Sequence, residues 1–162
     1  MSGRWPSSGS EPWREPEVIR HSRLLADTFA GWSGRPLLAG GGDDRELARA
    51  LYHAPFALLS HGTQNDPLFN YGNLVAQRLW ELGWERLVGL PSRRSAEPEV
   101  RVDRARALEE ALREGWMEGY VGVRVSRSGR RFRIEDGIIW NLLDSNGRLH
   151  GQAATFARWV FL

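Results

Sequence analysis

Ser60, His61 and Asp66 are the residue types of a hydrolytic triad, and all three fall between positions 60 and 66. Their spacing argues against that chemistry. Adjacent residues of an extended strand point to opposite faces, so Ser60 and His61 are badly placed to hydrogen-bond through their side chains. No Gly-x-Ser-x-Gly elbow is present. The segment reads as a turn between two short strands, and no enzyme is expected. The four histidines, His21, His53, His61 and His150, are scattered without an HxxxH or HxH pair, so no metal site is expected. There is no cysteine, hence no disulfide and no thiolate nucleophile or ligand. All 22 basic residues are arginine, which removes Schiff-base and P-loop lysine chemistry.

What remains is binding. Asn70, Asn73, Trp80, Trp116, Tyr120, Phe132, Trp140 and Asn141 combine apolar walls with a few polar handles, the make-up of small-ligand sites. The competing reading is that they fill a core, with Asn73 acting as a helix cap. Arg93, Arg94, Arg130, Arg131 and Arg133 are the densest basic group, but acidic residues are interleaved and no aromatic platform accompanies them. With a formal net charge of only +2, no nucleic-acid partner is expected, and Arg93 is a candidate to pair with Glu97. No apolar run approaches the roughly 20 residues that span a bilayer, and the N-terminal residues lack the apolar core of a signal peptide. A soluble, cytoplasmic protein without a membrane partner is the expectation. The all-arginine basic set fits GC-rich coding and a bacterial source.

Several elements must position these residues. Residues 1–16 are rich in Pro, Ser and Gly and read as a disordered tail, with Trp5 or Trp13 tucking back onto the domain. Residues 17–32 form a helix whose Val18, Ser22, Leu25, Phe29 and Trp32 make an apolar stripe. That stripe packs on its own domain or across a dimer. A second helix, capped by Asp43, runs to His53. A short strand follows Pro55. Asp66 to Leu90 then holds a brief strand at Leu68-Phe69, a turn at Asn70 to Asn73, a helix capped by Asn73 and stopped by Gly83, and a short helix from Trp84. Pro98 opens a long helix, residues 99–116, with Ala105, Leu108, Leu112 and Trp116 on its buried face.

From Tyr120 the period becomes two, giving an antiparallel meander of strands at 120–126, 131–143 and 150–161, with Asn146-Gly147 in the last hairpin. Parity places Phe132, Ile134, Ile138, Trp140 and Leu142 on one face and Ile139, Leu143, Trp159 and Phe161 on the other. The fold class is α+β: a five-stranded antiparallel sheet with helices on one face and the N-terminal helix covering the other. The 162 residues make one domain, 17–162, divided into N-terminal helices (17–54) and a core (55–162).

The turn and helix at Tyr71-Gly72-Asn73, Leu79, Gly83-Trp84, Leu87 and Gly89 resemble the PAS domain, as do Ser128 to Phe132 and Asp144 to Gly147. The longer segments Leu59 to Thr63, Phe69 to Asn73, Leu90 to Arg93, Ser95 to Pro98, Gly129 to Ile134, Trp140 to Leu142 and Gly151 to Phe156 resemble the MEKHLA domain, a PAS-like family. Its members are bacterial stand-alone proteins and the C-termini of plant class III homeodomain–leucine zipper regulators. The resemblance covers residue 16 to the C-terminus. It implies a stand-alone sensory or protein-interaction module with a possible small-molecule ligand, signalling as a homodimer through the N-terminal helix and the outer sheet face. The alternative is a ligand-free dimerisation or partner-binding domain with a packed core. Gln152, by analogy with PAS signalling, would report ligand state. The resemblance names no cofactor. Histidine-ligated haem of the PAS type needs a histidine on the long helix, which has none, and a flavin photoadduct needs a cysteine. A non-covalent flavin or another small ligand stays open.

Overall fold

A computed structural model describes residues 11–162, so Trp5 lies outside the described residues. Trp13 lies inside them, in a 3₁₀ turn at Pro12–Arg14, and packs on Ala48 and Tyr52. Burial of its indole ties the segment down, so the ordered chain starts before the expected boundary at residue 17.

Helix α1 (Pro16–Ser33) opens on a proline and closes at Gly34, whose φ of 73° is left-handed. Helix α2 (Asp44–Tyr52) starts as its sequence implies: Asp43 Oδ1 accepts from the Glu46 N–H at 2.8 Å. Strands β1 (Ala57–His61) and β2 (Phe69–Gly72) pair antiparallel. Tyr71 and Gly72 therefore belong to a strand and not to the expected turn, since they pair with Ser60 and Leu59. Helix α3 (Leu74–Trp80) ends at a left-handed Glu81, and Gly83 instead opens α4 (Trp84–Leu87). Two 3₁₀ turns lead into α5 (Arg101–Glu114), which Gly115 terminates. Trp116 is the first residue of β3 (Trp116–Val125), not the last of that helix. The meander continues as β4 (Arg131–Leu143) and β5 (Leu149–Phe156), and the expected final strand breaks at Ala157 to leave β6 (Arg158–Phe161).

The sheet order is β2-β1-β5-β4-β3, with β6 pairing to β4 beyond the end of β5. The class is the expected α+β. The facing of β4 is not. Phe132 and Ile134 pack with Trp80 and Leu79 of α3. Trp140 and Leu142 pack with Leu25 and Phe29 of α1, on the opposite face, with Ile138 against the same cluster. The strand changes phase at Asp136, which has φ 53°, opposite an irregularity in β3 around Tyr120. A residue in left-handed conformation breaks the period of two. Trp159 and Phe161, expected on the outer face, pair with Ile134 and Phe132 and join the α3 side. Ile139 does the same by lining a cavity there.

Two cores result, one on each face of the sheet. Ala57, Leu59, Phe69 and Phe156 meet α3 and α4 on one side. Leu58, Tyr71, Trp140 and Ala153 meet α1 and α2 on the other. The outer face is thus covered by the chain's own α1. Three polar links fasten it: Trp140 Nε1 donates to Thr28 Oγ1 (2.9 Å), Trp32 Nε1 to the Asn141 carbonyl (3.0 Å), and His21 Nε2 lies 2.7 Å from Ser60 Oγ.

Candidate functional site

A cavity of about 60 Å³ lies between the sheet and α5. Its apolar lining includes Leu59, Phe69, Trp80, Ile134, Ile139 and Phe156, and its polar lining includes His61, Arg104, Tyr120, Arg124 and Gln152. Each polar group arrives on a different piece of regular structure, apart from Tyr120 and Arg124, which share β3.

His61 ends β1 on the same face as Ala57 and Leu59. Its Nδ1 lies 3.0 Å from the Gly62 carbonyl, which makes Nδ1 the protonated nitrogen of the neutral ring. Nε2 is buried and has no partner among the described residues. Burial holds the imidazole pKa below its ordinary value, Arg104 adds to the effect, and the Gly62 hydrogen bond opposes it.

Tyr120 and Arg124 project from β3 two pleats apart. Arg124 Nη2 donates to the Tyr120 hydroxyl at 2.8 Å, and Nη1 to the Val123 carbonyl at 2.9 Å. Gly122 makes room between them. A Cβ there would stand 2.4 Å from the Tyr120 hydroxyl oxygen and 3.0 Å from Arg124 Nη1.

Arg104 comes from α5, whose inner stripe is Arg104, Leu108 and Ala111. The expected inner residues Ala105 and Leu112 are exposed. Two amides set this rotation. Asn141 Nδ2 donates to the Leu112 carbonyl (2.9 Å) and Gln152 Nε2 to the Leu108 carbonyl (3.0 Å). The first satisfies a carbonyl that the helix end leaves open. Arg104 is 9% exposed and makes no hydrogen bond or ion pair with any described residue. Its pKa is lowered to about 10, first by burial and then by the positive charges of Arg124 and Arg101.

Of the eight residues singled out from the sequence, only Trp80 and Tyr120 line the cavity. Asn141 stands beside it as a tether, 3.5 Å from Gln152. Phe132 packs behind Trp80. Trp116 and Trp140 face α1, across the sheet from the cavity, Trp140 because of the phase change at Asp136. Asn70 accepts from the Ser60 hydroxyl. Asn73 is fully buried and saturated. Its Oδ1 accepts from the N–H groups of Leu58 (3.0 Å) and Ala76 (3.2 Å), and its Nδ2 donates to the carbonyls of Leu51 (3.1 Å) and Phe56 (2.8 Å). The sequence reading missed His61 as a pocket residue and missed both arginines. The available signals were Arg104 one helical turn before Leu108 and Arg124 in step with Tyr120.

Ser60, His61 and Asp66 do not converge. Asp66 pairs with Arg93 at 3.2 Å on the surface, which also displaces the expected Arg93–Glu97 pair; Glu97 bonds Arg131 instead. The Ser60 hydroxyl meets His21, whose own pKa is lowered to about 4 by burial and then by His150.

The MEKHLA domain profile matches residues 19–161. The chain belongs to the MEKHLA domain family. Among curated proteins this MEKHLA chain is similar to the homeobox-leucine zipper protein HOX10 of rice, 22% identical over 91% of the chain, and to ATHB-15 of Arabidopsis thaliana, 20% identical over 93%. It spans only 18% of the length of either relative. Among solved structures, a PAS domain from Colwellia psychrerythraea covers 73% of the chain and 95% of its own at a TM-score of 0.61 and 15% identity. A Light-Oxygen-Voltage domain studied with a flavin analogue covers 72% and 84% at 0.58 and 17%. At these identities the likeness establishes the PAS-type fold of the MEKHLA chain and nothing further.

Proposed function

We propose that this MEKHLA domain is a PAS-like sensory module that takes a small ligand into the cavity between the sheet and α5 and signals through contacts with another protein or a second copy. The observation that carries the reading is the cavity itself. It lies between helix and sheet, and its lining holds a buried acceptor, His61 Nε2, and a guanidinium, Arg104, that no described residue satisfies. Buried polar groups are normally paired, so unpaired ones converging on a void favour an occupant.

The size limits the occupant. A void of about 60 Å³ holds roughly four waters, which suits a molecule far smaller than a flavin. The Light-Oxygen-Voltage neighbour was studied with a flavin analogue, but the reading for this chain is a compact metabolite.

The test is a thermal-shift screen of small metabolites on the parent protein and on Ala154→Leu, which fills the cavity from β5. At least one compound should stabilise the parent and leave Ala154→Leu unmoved. If no compound stabilises the parent and Ala154→Leu melts higher than it, the void is a packing defect and the sensory reading fails.

A further inference from the structure

We infer that the ligand is a short organic carboxylate, its head held between Arg104 and Arg124 and its body against the apolar lining. This rests on the cavity being a ligand site.

Charge makes the case. Arg104 and Arg124 are 9% and 7% exposed, and both line the same cavity. No carboxylate among the described residues pairs with either, and the chain before Glu11 contains no acidic residue. A buried guanidinium is retained by an anion or by a full set of acceptors. Arg104 has neither. Arg124 uses two of its donors on Tyr120 and Val123 and keeps others free. Two like charges brought together in a low dielectric repel, and one anion between them relieves both.

The other polar groups fit the same head. The Tyr120 hydroxyl accepts from Arg124 and so has its own proton free to donate. Neutral His61, its Nε2 buried and unpartnered, lines the same cavity and sets no negative charge against the head. The planar fork of arginine matches a carboxylate in a bidentate manner. The lining also includes Leu59, Phe69, Ile134, Ile139 and Phe156, and no further charged side chain beyond His61 and the two arginines. An organic anion with an apolar body therefore fits better than inorganic phosphate.

The experiment titrates the full chain at constant ionic strength with sodium acetate, butyrate, succinate and inorganic phosphate, and with butyramide as the uncharged counterpart of butyrate. Melting temperature is read together with the Arg104 Nε–H resonance. Butyrate or another of the carboxylates should raise the melting temperature and shift that resonance, and butyramide should do neither. Arg104→Gln should weaken binding roughly tenfold or more, and without ligand it should melt no lower than the parent, since it removes an uncompensated charge. Gly122→Ala, which crowds Tyr120 against Arg124, should also weaken binding. If none of the three carboxylates binds, if phosphate alone binds, or if Arg104→Gln binds them as the parent does, the carboxylate assignment is overturned. Stabilisation by butyramide with no effect of butyrate would overturn the charge argument while leaving the cavity as a ligand site. Failure of every compound, with Ala154→Leu stabilised, would remove the site as well.

Discussion

Asn73 shows how much one side chain can hold. Its amide joins four backbone segments: the end of α2, the residue before β1, β1 itself and the first turn of α3. With all four bonds made in a fully buried position, it is a structural keystone and offers nothing to a ligand. Asn73→Ala should cost about 3 kcal/mol, several buried hydrogen bonds being lost without water to replace them. Asn73→Asp separates the two halves of the role. It keeps the acceptor for Leu58 and Ala76 and loses both donors, so a loss close to that of alanine would place the weight on the donors. Urea denaturation reads both variants, and a cost below about 1 kcal/mol for alanine would refute the assignment. His21 gives a pH-dependent counterpart. It faces Ser60, Tyr71 and His150, and burial holds its folded pKa at about 4, below the ordinary 6.5. The unfolded chain therefore binds the extra proton first, so this contribution is complete above pH 6.5 and is lost as the pH falls towards 4. Its ceiling is about 3 kcal/mol. The difference in stability between the parent and His21→Gln should shrink across that window. A difference that stays flat from pH 7 to pH 4.5 would show that His21 titrates normally.

At the scale of elements, the decisive feature is a single left-handed residue in β4. Asp136 at φ 53° lets one strand serve both cores, giving Phe132 and Ile134 to α3 and Trp140 and Leu142 to α1. Both side chains of the Asp136–Arg158 pair are about two-thirds exposed, so that pair adds little. The backbone angle is what matters. Asp136→Val should destabilise by about 1–2 kcal/mol, the cost of a Cβ-branched residue in this region, and Asp136→Gly should be neutral or stabilising. Equal stabilities for the two variants would show that the angle carries no constraint. This is also where reading by parity ends. The period of two correctly announced the strands, the caps at Asp43 and Asn73 announced two helices, and the family resemblance announced the fold. Parity read straight through Asp136-Gly137 overlooks the bulge signal that an Asp-Gly pair inside a strand carries. Trp140 is thereby grouped with the wrong core, while Trp116 is misplaced for another reason, being read as the end of a helix that Gly115 stops. The rotation of α5 was hidden for a different reason. An apolar stripe is legible, but a helix that turns an arginine inward breaks the rule that charges face water, and only the amides of Asn141 and Gln152 reveal the choice.

For the molecule as a whole, α1 is an integral wall of the domain. Leu25 and Phe29 are buried against Trp140, Leu142 and Leu58, and Trp32 covers Gly115 so closely that a Cβ there would meet its ring at 2.2 Å. Its apolar stripe is thus packed on the chain's own sheet. Val121, Val160, Phe161 and Leu162 are the exposed apolar residues of the meander and its end. Removing the first 41 residues should therefore uncover the Trp140 face. Replacing that cover by water costs several large side chains at about 1.5–3 kcal/mol each, more than the net stability of a typical domain allows. The shortened chain should be unfolded or self-associated, as read by light scattering and near-ultraviolet circular dichroism. Supplying residues 1–41 as a separate peptide should restore a monomeric complex, since the missing element is a packed helix and not a hinge. A shortened chain that stays monomeric and melts like the parent would mean that the sheet closes this face by itself, and that α1 was free for a partner after all.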